Sequence, residues 1–595
     1  DLENQHDVAA MRELIFRVVL QASETATQLS CSLAGGRKTM SADMQEAAGL
    51  FGCRRLLHIL ANGESKNWPA ELLCPVPNFF SRPLPAACRH LLVPIVLPGH
   101  DRADLLDVHW HDHPPVHSER FPPQAITDTQ LCDEIAARRR DTGLLSNFIS
   151  AIERDEHHEN WRGLYRLPPR LIDRLRATVL GPEHADLLRT LPKADLHHHI
   201  GGSLDLDEQR LVAEAIWQEL PATSRDRAIA LVRALDWKDP AASWRQRLKQ
   251  DGDRAHNCAA VFMLHSDDQL QDLLYPQDRE RVALSKRDHL GFAAYEIPGE
   301  LSGSAVLGHP ASLIPTARAI HARCRRDGIV YLELRGSPHK YRPHDPIAWL
   351  RDLRQALADH MPADQQHLIR FIWIIDRRLK DQRAIADIVR LAATARDTLQ
   401  DFLVGLDLAG DEQVASAAEL APAFIPAFEA CLPITIHAGE GVGAESIWQA
   451  AYHLHADRIG HGLSLVQHAQ LLQRFRDRGI CLELCPTSNR EVVGFRDPDH
   501  PASRDCADYP LRQLWASGVP LTLCTDNPGI SRCTLHGEYL SAARMIGGLP
   551  LWDALAMMKR AFVHAFASAE TRARLLTHAD RCMHDRLIQH LQGIR

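Results

Sequence analysis

Short apolar, β-branched runs recur along the last two thirds of the chain, and each ends in a polar or glycine-containing turn. Eight can be read: Lys193–His199, Ile329–Arg335, Leu368–Asp376, Phe402–Asp407, Pro433–His437, Arg458–His461, Gly479–Cys485 and Val519–Asp526. Their apolar character is continuous rather than alternating, as in strands buried on both faces. Amphipathic segments such as Ala348–His360, Gln382–Leu399, Ala444–Leu454 and Ala469–Arg478 fall between them. Eight such strands alternating with helices predict an α/β fold, a (β/α)₈ TIM-type barrel. A doubly wound open sheet is the alternative. The barrel is favoured because polar residues crowd at the C-terminal ends of most runs, where barrels keep their sites. Residues Leu206–Arg287 are too long for an ordinary crossover and predict a helical insert after the first strand.

The first 165 residues read differently. Met11–Gln28 and Met44–Ala61 carry helical apolar spacing, as does Ile126–Asp155. Proline-rich stretches, Pro75–Pro85 and Pro114–Pro123, interrupt them. The expected organisation is an accessory domain over 1–165, α-rich or mixed, and a lead-in helix over 166–190. The barrel follows over 191–578, then a C-terminal helix over 579–595. The run from His109 to His117 holds four histidines and an aspartate, but its adjacent prolines suit a polar surface turn better than a second metal site.

Composition narrows the class. Hydrophobic content of 45% and charged content of 24% are those of a globular protein. A net charge of −8 does not imply a nucleic-acid partner. No apolar run is long enough to span a bilayer, and Asp1–Gln21 carries no signal-peptide pattern. The fourteen cysteines include no C-x-x-C pair. Cys481, Cys485 and Cys524 lie in strand-like runs, so reduced, buried thiols in a cytoplasmic protein are expected.

The strand ends carry the chemistry. His197 and His199, at i and i+2 on a strand, point the same way. The fifth run adds His437 and Glu440, the sixth His461, and the eighth Asp526 and Asn527. Three histidines and an aspartate can hold one Zn²⁺ per chain and leave a position for water. Zinc makes hydroxide available near neutral pH. His461 is then placed to orient the water and take its proton. Glu440 is placed to protonate a substrate atom if its pKa is raised.

In this order the motifs resemble the adenosine deaminase family of metal-dependent amidohydrolases. The stretches that carry the likeness are Pro192–Leu204, Ile329–Pro338, Asp407–Glu412, His437–Glu440, Ile459–Gly462, Cys485–Asn489 and Thr525–Pro528, with Ala561–Leu576 like the family's closing helices. The resemblance implies that His197, His199, His437 and Asp526 bind zinc, Glu440 protonates purine N1, and His461 positions the attacking water. It implies further that Gly410 meets the purine through its backbone, that Asn527 faces the imidazole side of the base, and that Glu483 holds His461. The implied reaction is hydrolytic deamination of adenine to hypoxanthine with release of ammonia.

Two positions depart from the family pattern. Gly201 stands where many members carry the acid that holds the ribose 5′-hydroxyl. The last motif reads Asp526-Asn527-Pro528, where Asp-Asp-Pro is common. Losing a carboxylate at the 5′ end points to a 5′-phosphorylated substrate, ATP, dATP or AMP, with Arg335, Arg377, Arg378 and Arg490 as candidate phosphate partners. In architecture the chain also resembles the deaminase subunit of the bacterial RADAR antiphage system. That likeness implies antiviral defence, a homo-oligomer and an ATPase partner. Plain adenosine deamination, adenosine-to-inosine editing of RNA and a catalytically inert scaffold are the alternatives.

Overall fold

The computed structural model describes residues 4–61 with short gaps, residue 68, residues 91–96, and residues 143–593 with short gaps. The chain divides into two compact units, Asp1–Asp141 and Thr142–Arg595.

In the first unit, α1 (Gln5–Thr25) packs on α2 (Lys38–Phe51). β1 (Ser30–Ser32) and β2 (Arg55–Ala61) pair in parallel on either side of α2, and β3 (Leu92–Val96) adds antiparallel to β2. Ile15, Val19, Ala47, Ala48 and Leu56 form the core. The predicted helix over Met44–Ala61 therefore ends at Phe51. Gly52 breaks it at φ 83°, a left-handed conformation that glycine adopts freely, and its N–H caps the helix on the Ala48 carbonyl. The chain then extends into β2. Both proline-rich stretches, the His109–His117 run and residues 126–141 lie outside the described residues.

The second unit is built on eight parallel strands: β4 (Lys193–His199), β5 (Ile329–Gly336), β6 (Leu368–Asp376), β7 (Leu403–Ala409), β8 (Ile434–Ala438), β9 (Arg458–His461), β10 (Cys481–Leu484) and β11 (Leu521–Leu523). Each pairs with the next in chain order. The sheet closes where Asp526, just past β11, bridges His198 on β4. The His199 N–H donates to the Asp526 carbonyl at 2.7 Å, and the Asp526 N–H to the His197 carbonyl at 2.8 Å. Cys481, Cys485 and Cys524 are free and fully buried.

Helices fill the insert as expected. Leu206–Glu219, Ala222–Arg233, Trp244–Gln250, Arg254–Leu264 and Asp267–Leu274 enclose their own core of Val212, Ile216, Val232, Trp244 and Phe262. The insert runs past Arg287, however. Further short helices lead to Leu313–Asp327, which is the helix that returns the chain to β5.

Three expected boundaries fall elsewhere. The described residues of 143–165 pack on the barrel unit. The Trp161 indole N–H donates to the Leu555 carbonyl at 2.8 Å, its ring meets Phe562 edge-on, and the Asn160 amide donates to the Trp552 carbonyl. The lead-in segment is two helices, Pro169–Ala177 and Ala185–Thr190, parted where Val179 bridges Pro550 and Gly181-Pro182 turns the chain. At the C-terminus, Ala569–Gly593 is one continuous helix. Trp161→Ala is expected to destabilise this unit by about 3–5 kcal/mol, the usual cost of emptying a fully buried aromatic site. A lowered midpoint of thermal or denaturant unfolding would register it. No helix among the described residues is long and apolar enough to cross a membrane.

Candidate active site

The C-terminal ends of the strands open into a cleft of about 1130 Å³. His199, Gly201, Gly410, His437, Glu440, His461, Asp526 and Asn527 all line it, and His197 lies fully buried beneath. Two of these residues, His461 (φ 65°) and Asp526 (φ 58°), hold left-handed backbone without being glycine. Such strain costs of order 1–3 kcal/mol and persists where the surrounding fold over-determines it. At Gly410 the backbone itself forms the wall: φ is 97°, and a Cβ there would stand 2.9 Å from the Asp376 carboxylate.

Three histidines converge on one point, with Asp526 beside two of them. The Nε2 atoms of His197 and His199 are 3.3 Å apart, and those of His199 and His437 are 3.2 Å apart. Asp526 Oδ1 lies 3.3 Å from His199 Nε2 and 3.6 Å from His197 Nε2. Carboxylates behind the rings decide what faces this point. His197 Nδ1–H donates to Glu483 at 2.8 Å, and His437 Nδ1–H donates to Asp407 at 3.0 Å. With those protons committed, both Nε2 lone pairs turn to the same spot, where they would repel each other without a cation between them. Burial, then Arg335 and the neighbouring histidines, holds His197 well below its ordinary pKa; His199 is lowered chiefly by burial and His437. Neutral imidazoles and a carboxylate suit a transition metal. Burial alone would raise the Asp407 carboxyl, but His437 and Arg335 hold it at about 2, so it stays an acceptor.

A second group faces the cleft beside these ligands. His461 Nε2 lies 3.6 Å from Glu440 Oε2. Asn489 sets both. Its Oδ1 accepts from the Cys485 N–H and the Tyr509 hydroxyl, so its amide N–H groups point to Glu440 (3.2 Å) and to His461 Nδ1 (3.0 Å). A neutral His461 then carries its proton on Nε2 and meets the cleft as a donor. Burial first, then the charges of Asp526 and Glu412, pushes the Glu440 carboxyl well above its usual range, with Asn489 opposing. Glu412 also fixes the loop that bears Glu440, accepting from the backbone N–H of Gly439, Glu440 and Gly441.

Several expected roles move. Glu483 backs His197, not His461, because it lies across the barrel floor, where it also pairs with Arg335 and Arg458. Three of the four candidate phosphate arginines are spent on internal partners. Arg335 is fully buried between Asp407 and Glu483, Arg377 donates to the carbonyls of Ala415 and His437, and Arg490 pairs with Asp497. Only Arg378, of the four, reaches the cleft with a partly exposed guanidinium. Residues not singled out beforehand include Asp407, Asn489 and Glu412. A lone carboxylate closing an apolar strand could have flagged Asp407. The partners of Asn489 and Glu412 come from other strands, and no local pattern marks them.

Comparison with known families bears on this site. The adenosine deaminase family profile matches residues 283–582, just over half of the chain. The chain belongs to the adenosine deaminase family. The matched segment begins inside the insert, so His197 and His199 join the site through the fold. A second family, described as CRISPR-associated protein NE0113, matches residues 1–91 of this adenosine deaminase family member. An adenine deaminase of Sinorhizobium fredii is 38% identical over 193 residues, 32% of this chain and 56% of that one. An adenosine deaminase of Pectobacterium atrosepticum is 32% identical over 37% of this chain and 62% of its own length. The chain thus spans little more than half the length of these curated relatives. A solved amidohydrolase from Burkhoderia ambifaria, with bound Zn, is 19% identical, covers 70% of this chain and 97% of its own, and has a TM-score of 0.49.

Proposed function

We propose that the protein is a zinc-dependent hydrolytic deaminase of the adenine base, acting on 5′-phosphorylated nucleotides. The observation that carries this is a cleft in which three histidine nitrogens converge, with the Asp526 carboxylate beside two of them, next to a carboxyl whose pKa burial raises. His197, His199, His437 and Asp526 would hold the ion. When bound, it supplies the Lewis acidity that makes a water nucleophile available near neutral pH.

The chain's own residues supply the rest. Glu440 gives its proton to purine N1, so the ring can accept electrons as water adds at C6. His461 donates from Nε2 and orients the incoming water; with its cleft-facing nitrogen protonated, it does not also take the water's proton, the role its place in the sequence suggests. Gly410 lets the base approach the backbone, and Asn527 hydrogen-bonds the imidazole edge. Of the two protons of the added water, one restores Glu440 and the other leaves with the 6-amino group as ammonia, so the product is the 6-oxo purine.

Support for a phosphorylated substrate comes from Gly201. It lines the cleft beside Gly303 and offers no carboxylate there, so no fixed negative charge at this position opposes a phosphate. Antiviral defence in the cytoplasm is part of the same proposal, supported by the CRISPR-associated description of the family matched over residues 1–91. A second reading, deamination of free adenine or adenosine, is favoured by the names of the relatives. Incubating the purified protein with adenine, adenosine, AMP, ATP and dATP separates the two. The expected result is loss of adenine absorbance and release of ammonia with nucleotides at the higher kcat/KM. Faster turnover of adenosine or adenine would overturn the nucleotide reading.

A further inference from the structure

One wall of the cleft is cationic. Arg245, Lys249 and Arg254 reach it from the insert, and Lys340 and Arg378 from the loops after β5 and β6. Two carboxylates hold all five. Glu300 accepts from Arg245, from Lys249 at 3.1 Å and from Arg254 at 3.0 Å. Asp376 accepts from Lys340 and from Arg378 at 2.8 Å. Each cluster therefore has more positive than negative charge. The two adjoin across Glu296, whose carboxyl feels Arg378, Glu300, Arg245 and Asp376 together. Burial holds that carboxyl above its usual value, which weakens its claim on the cations.

The wall starts where the 5′ end of a sugar would lie. Gly299 and Gly303 flank Glu300 in the chain, and both approach Gly201. A Cβ on Gly303 would stand 3.4 Å from the Gly201 carbonyl, and one on Gly299 would stand 3.7 Å from it. Gly201 is the position at which the family resemblance places the ribose 5′ contact. Glu300 directly follows Gly299, so its cluster adjoins that point, with the Asp376 cluster beside it across Glu296.

We infer that this wall is the phosphate-binding part of the cleft, a two-armed clamp in which the insert and the barrel each present cations to a 5′-phosphate chain. The inference rests on the nucleotide reading above and names the residues behind it. Anchoring by Glu300 and Asp376 preorganises the cations, and these carboxylates do not use all of the N–H groups that five Lys and Arg side chains carry. Lys249 and Arg378 are the most exposed members, with 42% and 58% of their side-chain surface accessible, and are placed to meet phosphate directly.

The test uses inorganic tripolyphosphate as a probe, because its binding needs no catalysis. Calorimetry would compare the full-length protein with Lys249→Ala, Arg378→Ala, the double variant, and Arg574→Ala, an exposed arginine on the C-terminal helix. Tripolyphosphate affinity is expected to fall about tenfold or more in the double variant, the loss of charge-assisted hydrogen bonds. It should be as in the unaltered protein for Arg574→Ala. The ratio of kcat/KM for ATP or AMP to that for adenosine should fall in parallel, through KM. Unchanged tripolyphosphate binding in the double variant would overturn the clamp. So would an equal loss toward nucleotides and adenosine with an unchanged melting temperature. If the unaltered protein prefers adenosine and yet its tripolyphosphate binding depends on these two residues, the clamp stands and the nucleotide reading falls. If it prefers nucleotides and the variants keep that preference, the reading stands and the clamp falls.

Discussion

Glu440→Gln is expected to lower kcat by about 10²- to 10⁴-fold, the usual contribution of a positioned general acid, while leaving bound metal in place. The substitution keeps the shape of the side chain and its contact with the Asn489 amide but removes the transferable proton. Burial raises the pKa of the Glu440 carboxyl well above that of an ordinary glutamate. The sign follows. If Glu440 is the proton donor proposed above, activity needs its protonated form, so it is expected below the raised pKa and lost as pH climbs through it. That alkaline limb of the pH–rate profile should vanish in Glu440→Gln, whose residual activity carries no such titration. Metal content equal to that of the unaltered protein, with kcat unchanged, would remove Glu440 from the chemistry.

The second large effect concerns the ion. Dialysis against a chelator should abolish deamination, and added zinc should restore it. Asp407→Asn should weaken metal binding by roughly 10- to 100-fold, as loss of a carboxylate behind a ligating histidine does. The amide can still accept a hydrogen bond from His437 Nδ1–H, but without the charge that makes the ring a better donor to metal. Asp407 also pairs with Arg335 at 3.1 Å, so the unfolding midpoint must be followed alongside. A metal titration against a coloured chelator reads the affinity directly. An unaltered affinity would mean that His437 does not ligate.

The barrel was legible because buried parallel strands are continuous apolar runs, and β4, β6 and β9 fall at their predicted bounds. The candidate ligand residues stood out for a related reason: histidine and aspartate at the mouths of such strands have no packing role to explain them. Glu483 shows where this logic stops. Its type and strand were evident, but its partner depended on which rings cross the barrel floor, and that is a matter of three-dimensional register. Arg335, Arg377 and Arg490 show the same limit from the other side. A strand-end arginine reads alike whether it meets a ligand or a buried carboxylate. The cationic wall escaped notice because Arg245, Lys249 and Arg254 sit on amphipathic insert helices, where charge ordinarily marks a solvated face. Met44–Ala61 failed on one residue, Gly52, whose left-handed φ ends a helix that the apolar spacing would have continued.

The seam of the barrel carries one more consequence. His197 and His199 precede Asp526 by more than three hundred residues, and the backbone bonds that close the sheet join these same residues. A chain emerging from the ribosome therefore has no ligand set, and no reactive cleft, until its last strand docks beside its first. A premature stop before Asp526 would leave two unpaired sheet edges, a template for aggregation rather than a partial enzyme. An ion held by these residues would tie the seam together and resist unzipping at the junction where the last strand meets the first.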